Sequence, residues 1–245
     1  MSPPIPAMIL AAGRGERMRP LTDDCPKPLL RVAGKALIDW HVDALTRGGF
    51  HELVVNTAWL GEQISSHLGL LRTTSGHEQL SISYSKEGDD FGYALETAGG
   101  IARALPMLGE VFWLLAADVF VPGFEFTPEA VSRFIAGGKL AHLWLVPNPP
   151  QHPGGDFGLG ADGLARNLPA GDAAPRYTYS TIGLYRRALF DPLPFGNSPG
   201  LAVALAPLLR EAMDRQQVSA ELYLGAWTDV GTPERLAELN QNFPN

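Results

Sequence analysis

Residues 7–30 read AMILAAGRGERMRPLTDDCPKPLL. The apolar run 7–11 stops at a glycine-rich turn, which is the pattern of a buried strand delivering the chain to a loop. Gly13 and Gly15 let that loop turn tightly and approach a ligand with no Cβ in the way. Between residues 11 and 35 stand six basic residues, Arg14, Arg17, Arg19, Lys27, Arg31 and Lys35, against three acids, Glu16, Asp23 and Asp24, in a chain whose net charge is −7. Such a local reversal of charge suits a polyanion such as a triphosphate. On charge alone an ordinary solvated loop is an equal alternative. A Walker A loop is absent, and a dinucleotide fingerprint would need glycine where Met18 stands.

Outward from this loop the chain alternates. Apolar spacing predicts helices over 36–47, 59–68 and 95–105, and strands over 53–56, 80–85, 111–117 and 140–146. The run VFWLLAA (111–117) is the strongest buried strand and ends at Asp118. Strands and helices of this size imply an α/β, three-layer sandwich around a mostly parallel, Rossmann-like mixed sheet. Right-handed crossovers then bring the ends of the first and fourth strands, and with them GRGER and Asp118, to one rim. After 147 the texture changes. A loop, PNPPQHPGG, precedes a strand over 177–185, a helix over 201–213, a closing strand pair over 218–224 and 227–229, and a final helix over 232–240 opened by Pro233. Trp40, Trp59, Trp113 and Trp144 fall on expected core faces. The six histidines lack metal-ligand spacing and read as packing or surface residues.

The length, 245 residues, suits one domain (1–245) whose texture changes between a first half, 1–147, and an elaborated second half, 148–245. The acidic balance argues against nucleic acid as a partner. No stretch reaches the roughly 20 apolar residues of a membrane span. Cys25, the single cysteine, excludes an internal disulfide and a Cys-based zinc site, in keeping with a cytoplasmic protein.

The run LAAGRGERMRPLT (10–22), followed by PKPL (26–29), resembles the signature of the sugar-1-phosphate nucleotidyltransferases. Asn56, ETAGG (96–100), Asp118 and WTDVGT (227–232) extend the resemblance over nearly the whole chain. It implies the nucleotidyltransferase A-type fold and transfer of a nucleotidyl group from a nucleoside triphosphate to a sugar 1-phosphate. The pieces VVNTAWLGEQI, ALETAGGI and LAPLLREAM are similar to those of members that use UTP and N-acetylmuramate 1-phosphate, in peptidoglycan recycling. Glucose or mannose 1-phosphate with dTTP or GTP stays open. So does a catalytically inactive relative that binds a sugar nucleotide. The absence of an added C-terminal domain favours a monomer.

The resemblance also implies roles. Ala11, Gly13, Gly15, Glu16, Arg17 and Lys27 would contact the nucleotide, with Arg17 and Lys27 as the catalytic cations; Gly99 and Gly100 would approach the base or else form a helix-packing pair. Ala117, Asn148, Asp156, Tyr179, Ser180 and Thr181 would surround the sugar phosphate. A lactyl carboxylate would find donors at Gly154–Gly155, Asn148 or Arg166. Asp118 and Asp229 each read, from position alone, as ligand or surface residue; the resemblance makes them ligands of Mg²⁺. Two positions depart from the family pattern: Glu16, where Ser or Thr is usual, and Ala117, where Gly is usual. The chemistry needs no base, because a sugar 1-phosphate oxygen is already anionic; alignment and charge neutralisation suffice.

Overall fold

The computed structural model describes residues 4–73 and 79–243. In chain order, β1 (Ala7–Leu10) leads through the glycine loop to α1 (Leu21–Asp24), a small hairpin of β2 (Arg31–Val32) and β3 (Lys35–Ala36), and α2 (Leu37–Arg47). Then come β4 (Glu52–Thr57), α3 (Gly61–Leu68), β5 (Leu71–Thr73), β6 (Gln79–Lys86), α4 (Glu87–Phe91), α5 (Glu96–Ala104), β7 (Val111–Ala116) and β8 (Val119–Phe120). The remainder is α6 (Pro128–Gly137), β9 (Ala141–Val146), β10 (Phe157–Leu159), β11 (Ala165–Arg166), β12 (Arg176–Arg186), α7 (Leu205–Asp214), β13 (Val218–Leu222), β14 (Thr228–Asp229) and α8 (Pro233–Asn242).

β1 lies at the centre of a mixed sheet, with β4 and β7 parallel on either side and β6 parallel beyond β4. The long β12 pairs antiparallel with β7 and β9, and β13 runs parallel to β9. Ala7, Met8 and Ile9 are fully buried because helices cover both faces of the sheet, which is why β1 is apolar throughout rather than alternating. Ile9, Val55 and Trp113 pack on one face with Ile38 of α2, Ile64 of α3 and Phe134 of α6. Met8, Val54 and Leu114 pack on the other with Ile101 of α5 and Leu209 of α7. The register sets Leu10 opposite Asn56 and Ala116, so the exits of β1, β4 and β7 share one rim.

The closing strand pair expected at 218–229 does not form. β13 joins β9, and β14 pairs with β8. The last helix but one starts at Leu205, not 201, because Val203 has other work for its backbone. Its carbonyl accepts from the amides of Ala98 and Gly99, and its own amide donates to Leu95. Those first-turn amides of α5 would otherwise lack acceptors. No helix among the described residues is long and apolar enough to cross a membrane.

Candidate active site

A cleft of about 470 Å³ opens over the shared rim, lined by the Ala11–Arg14 turn, Lys27, Asn56, Glu87, Glu96 and Asp118 among others. Lys27 starts a single 3-10 turn, Lys27–Leu29, and Pro26 and Pro28 restrict the backbone on either side of it. Its side chain is buried, and Nζ stands 2.6 Å from Asp118 Oδ2. Asp118 leaves β7 at its end and is 43% exposed, so the pair has one sheltered member and one wet one.

Behind the cleft wall runs a buried polar chain. The amide of Ala11 donates to Asn56 Oδ1 at 2.7 Å, and Asn56 Nδ2 donates to Glu87 Oε1 at 2.7 Å. Glu87 Oε2 accepts from the amide of Leu95 at 2.7 Å. One carboxylate thus ties the β1 exit, through β4, to the start of α5. Burial pushes the Glu87 carboxyl above the usual carboxylate range, against the lowering effect of its hydrogen bonds and Arg103.

A second cleft of about 350 Å³ shares Leu10, Thr97 and Ala116 with the first and is walled by Asp156, Phe157, Tyr179, Thr181 and the start of α7. Asp156 is held from two sides, by the Tyr179 amide at 2.8 Å and by His152 Nε2 at 3.0 Å. The Tyr179 and Tyr185 hydroxyls share a hydrogen bond of 2.7 Å. Thr181 lies in a register shift of β12 between Tyr179 and Gly183. Its φ is 68°, strained backbone for a β-branched residue, and its Oγ1 is buried without a partner among the described residues.

Residues 6–245 match the model of the nucleotidyl transferase family. The chain belongs to that family. It is 47% identical over 238 residues, 95% of either chain, to the N-acetylmuramate alpha-1-phosphate uridylyltransferase of Neisseria meningitidis serogroup B (strain ATCC BAA-335 / MC58). It is 33% identical over 234 residues, 93% of this chain and 92% of the relative, to the protein of the same name from Caulobacter vibrioides (strain ATCC 19089 / CIP 103742 / CB 15). Among solved structures, HddC from Yersinia pseudotuberculosis complexed with GMP-PN shares the fold, with a TM-score of 0.69 at 15% identity over 98% of this chain and 99% of that one. A Bacillus anthracis protein assigned as a glucose-1-phosphate thymidylyltransferase, in complex with a sucrose, superposes with a TM-score of 0.76 at 21% identity, covering 98% of this chain and 96% of that one.

Within this nucleotidyl transferase the expected site residues divide. Ala11, Gly13, Lys27, Ala117 and Asp118 line the first cleft, and Asp156, Tyr179 and Thr181 the second. Gly15 takes a left-handed φ of 67° and packs against Thr22 and Lys27. Glu16 and Arg17 are exposed on the turn after it and line neither cleft. Gly99 and Gly100, expected near a base, line neither cleft and lie close against their neighbours. A Cβ on Gly99 would fall 2.2 Å from the Leu201 carbonyl oxygen, and one on Gly100 2.5 Å from Glu87 Oε1. Ser180 is turned away from the cleft; its hydroxyl donates to the Trp144 carbonyl at 2.6 Å. Asn148 is used up in pinning its own loop, donating to the carbonyls of Pro153 and Arg176 and accepting from Thr178. Arg166 pairs with Asp162 and lines neither cleft.

Asp229 sits on β14, opposite Val119, and the amide of Val230 donates to the Asp118 carbonyl at 2.9 Å. Asp229 on β14 and Asp118, in the turn between β7 and β8, are therefore brought side by side by this strand pair. Asp229 is engaged by Arg235 and by Gln151, whose Nε2 donates to Oδ1 at 2.6 Å. Asp118 Oδ1 carries no hydrogen bond among the described residues. Two hard carboxylates, one in the turn before β8 and one on β14, are donors of the kind a Mg²⁺ takes when it draws its other ligands from phosphate oxygens and water.

Four contributors were not singled out from the sequence. Glu87 lies in the polar run KEGDD, where nothing signals burial. Gln151 stands in a proline-rich loop. Arg14 is one of six basic residues in its segment, and Trp59 has the spacing of a core residue. The placement of each depends on partners distant in sequence.

Proposed function

We propose that the protein transfers UMP from UTP to N-acetylmuramate 1-phosphate and releases pyrophosphate. The observation that carries the reading is the full-length similarity to the Neisseria uridylyltransferase. Two clefts that meet at Leu10, Thr97 and Ala116 support it, since two substrates must share one reacting phosphorus. In this reading UTP takes the first cleft and the sugar phosphate the second, and the phosphate oxygen of the sugar attacks the α-phosphorus at their junction. Lys27 holds the α-phosphate, and Arg17 adds its charge from the exposed turn. Asp118 and Asp229 would hold Mg²⁺, which supplies charge neutralisation to the phosphates when bound. The site has to align and neutralise rather than remove a proton. We read 1–147 as the nucleotide half and 148–245 as the sugar half of one unit.

Pyrophosphate release with a panel of triphosphates and sugar 1-phosphates tests this. UTP with N-acetylmuramate 1-phosphate is expected to give the highest kcat/KM. N-acetylglucosamine 1-phosphate differs only by the missing lactyl ether, so equal kcat/KM for the two would show that the carboxylate is not read.

A further inference from the structure

The geometry points to Arg14 as a second phosphate-binding cation of the first cleft, with Trp59 as the residue that positions it. This rests on the proposed use of that cleft for a nucleoside triphosphate.

Of the six basic residues between 11 and 35, Arg14 and Lys27 line the cleft. Arg19 pairs with Asp23, Lys35 with Asp43, and Arg31 donates to the Gly34 carbonyl. Lys27 already faces Asp118. Arg14 makes no ion pair with a carboxylate among the described residues, and its guanidinium stands in a concave wall. That is the arrangement an anion completes.

Arg14 is also held before any ligand arrives. Its guanidinium carbon lies 3.4 Å above the centre of the Trp59 ring system. Its Nη1 donates to the Thr22 carbonyl at 3.2 Å, and Trp59 Nε1 donates to the same carbonyl at 3.0 Å. Thr22 is fully buried, and its hydroxyl donates to the Gly15 carbonyl at 2.8 Å. One residue thus anchors the loop, the guanidinium and the ring on which it stacks. Trp59 is fixed in turn by the tight turn after β4. Leu60 has a φ of 50°, and a Cβ on Gly61 would fall 2.8 Å from Thr57 Cβ. A stacked guanidinium keeps the rest of its five donors for a ligand and loses little freedom on binding one. A lysine has neither the plane to stack nor the fork.

The position assigns the contact. The first cleft joins the second at Leu10, Thr97 and Ala116, where the reacting α-phosphorus belongs. Arg14 lines the first cleft alone, beside the turn into α3, and so reaches the outer phosphates of the triphosphate, the part that leaves as pyrophosphate.

Calorimetric titration of wild type, Arg14→Ala, Arg14→Lys and Trp59→Leu with UTP, UMP and pyrophosphate tests the inference. Arg14→Ala is expected to raise Kd for UTP and pyrophosphate by roughly 10- to 100-fold, the scale of a lost charge-assisted contact, and to change Kd for UMP less than about twofold. In steady-state turnover, run alongside, Trp59→Leu is expected to raise the KM for UTP while leaving kcat at saturation near that of wild type, as a positioning residue should. Arg14→Lys keeps the charge and reports on the stack even if the alanine variant folds poorly; its Kd for UTP is expected to rise as well. UTP and pyrophosphate binding unchanged in Arg14→Ala, or an equal loss for UMP, overturns the inference alone. A wild type that binds neither UTP nor pyrophosphate overturns the proposed activity too.

Discussion

Lys27 Nζ lies 2.6 Å from Asp118 Oδ2, across 91 residues of chain, with the ammonium sheltered and the carboxylate open to water. The pair joins the glycine loop to the end of β7 at the floor of the first cleft. Because Asp118 is 43% exposed, it can be hydrated if the lysine is removed, so the fold depends on the contact only weakly. Lys27→Ala is therefore expected to lower kcat/KM by roughly 10²–10³, the scale of a lost oxyanion-type donor, while Tm stays within a few degrees. Unfolding of the variant with retained activity in its soluble fraction would make Lys27 a structural residue.

Chelation with EDTA should abolish turnover, and Mg²⁺ should restore it. Asp229→Asn keeps the acceptor that Gln151 uses and removes the charge that Arg235 faces, so its turnover is expected to drop by about two orders of magnitude. Full activity of the chelated enzyme would remove both aspartates from the account of the site.

His41 gives a pH dependence. The imidazole is fully buried on α2, and Nε2 hydrogen-bonds the Val119 carbonyl, an acceptor, at 2.9 Å, so this nitrogen is the donor of the neutral ring. Burial pushes its pKa down to about 4 from an ordinary value of 6.5, against the raising effects of that hydrogen bond and of Asp118. The unfolded chain then binds a proton that the native state refuses between these values. The native state keeps its full advantage above pH 6.5 and loses it as pH falls toward 4. The His41 contribution between pH 7 and pH 5 is about 2 kcal/mol of lost stability. Urea melts at the two pH values should show this difference, and His41→Gln should flatten it. An unchanged pH slope in the variant would rule His41 out as its source.

The fold was legible where a strand is buried on both faces. AMIL and VFWLL are apolar without alternation, and β1 and β7 are the inner strands they suggest. Asp118 could be read for the same reason, as the first charged residue after such a run. Trp59 misled because its spacing matches α3, whereas the helix starts at Gly61 and the ring is left beside the cleft. Thr127 and Pro128 form a capped helix start, with the Thr127 hydroxyl accepting from the Ala130 amide, that the apolar spacing alone does not mark. The contrast between Ser180 and Thr181 was out of reach. A shift in the register of β12 decides which of the two faces the cleft, and no local pattern encodes it.

The buried link from Ala11 to Leu95 is sensitive to a single atom. Both Glu87 oxygens accept, one from Asn56 Nδ2 and one from the Leu95 amide. Glu87→Gln would set an amide donor against one of these donors, leaving a buried clash or an unmade bond that costs about 2 kcal/mol. Lower stability in urea is the expected result, together with weaker UTP binding, because both cleft walls hang from this carboxylate. Asn56→Asp would set a second acid against Glu87 and should be worse. Wild-type stability in Glu87→Gln would mean that the network is not tight.

Thr181 is the place where function and stability should part. Its φ of 68° and its unpartnered buried hydroxyl both disfavour the folded state. A residue that keeps two such features in the wall of the second cleft has its missing partner in the substrate, on the proposed reading. Thr181→Val keeps the branched shape and removes the hydroxyl. In the free enzyme this deletes an orphan polar atom, so stability should rise, by about 1 kcal/mol. In the reaction it deletes a contact, so KM for the sugar phosphate should rise roughly tenfold while Kd for UTP, bound in the other cleft, stays as in wild type. Urea denaturation and kinetics with each substrate varied in turn separate the two effects. A variant that is both less stable and unaltered toward the sugar phosphate would show that the hydroxyl serves the fold and that the second cleft does not read its ligand through Thr181.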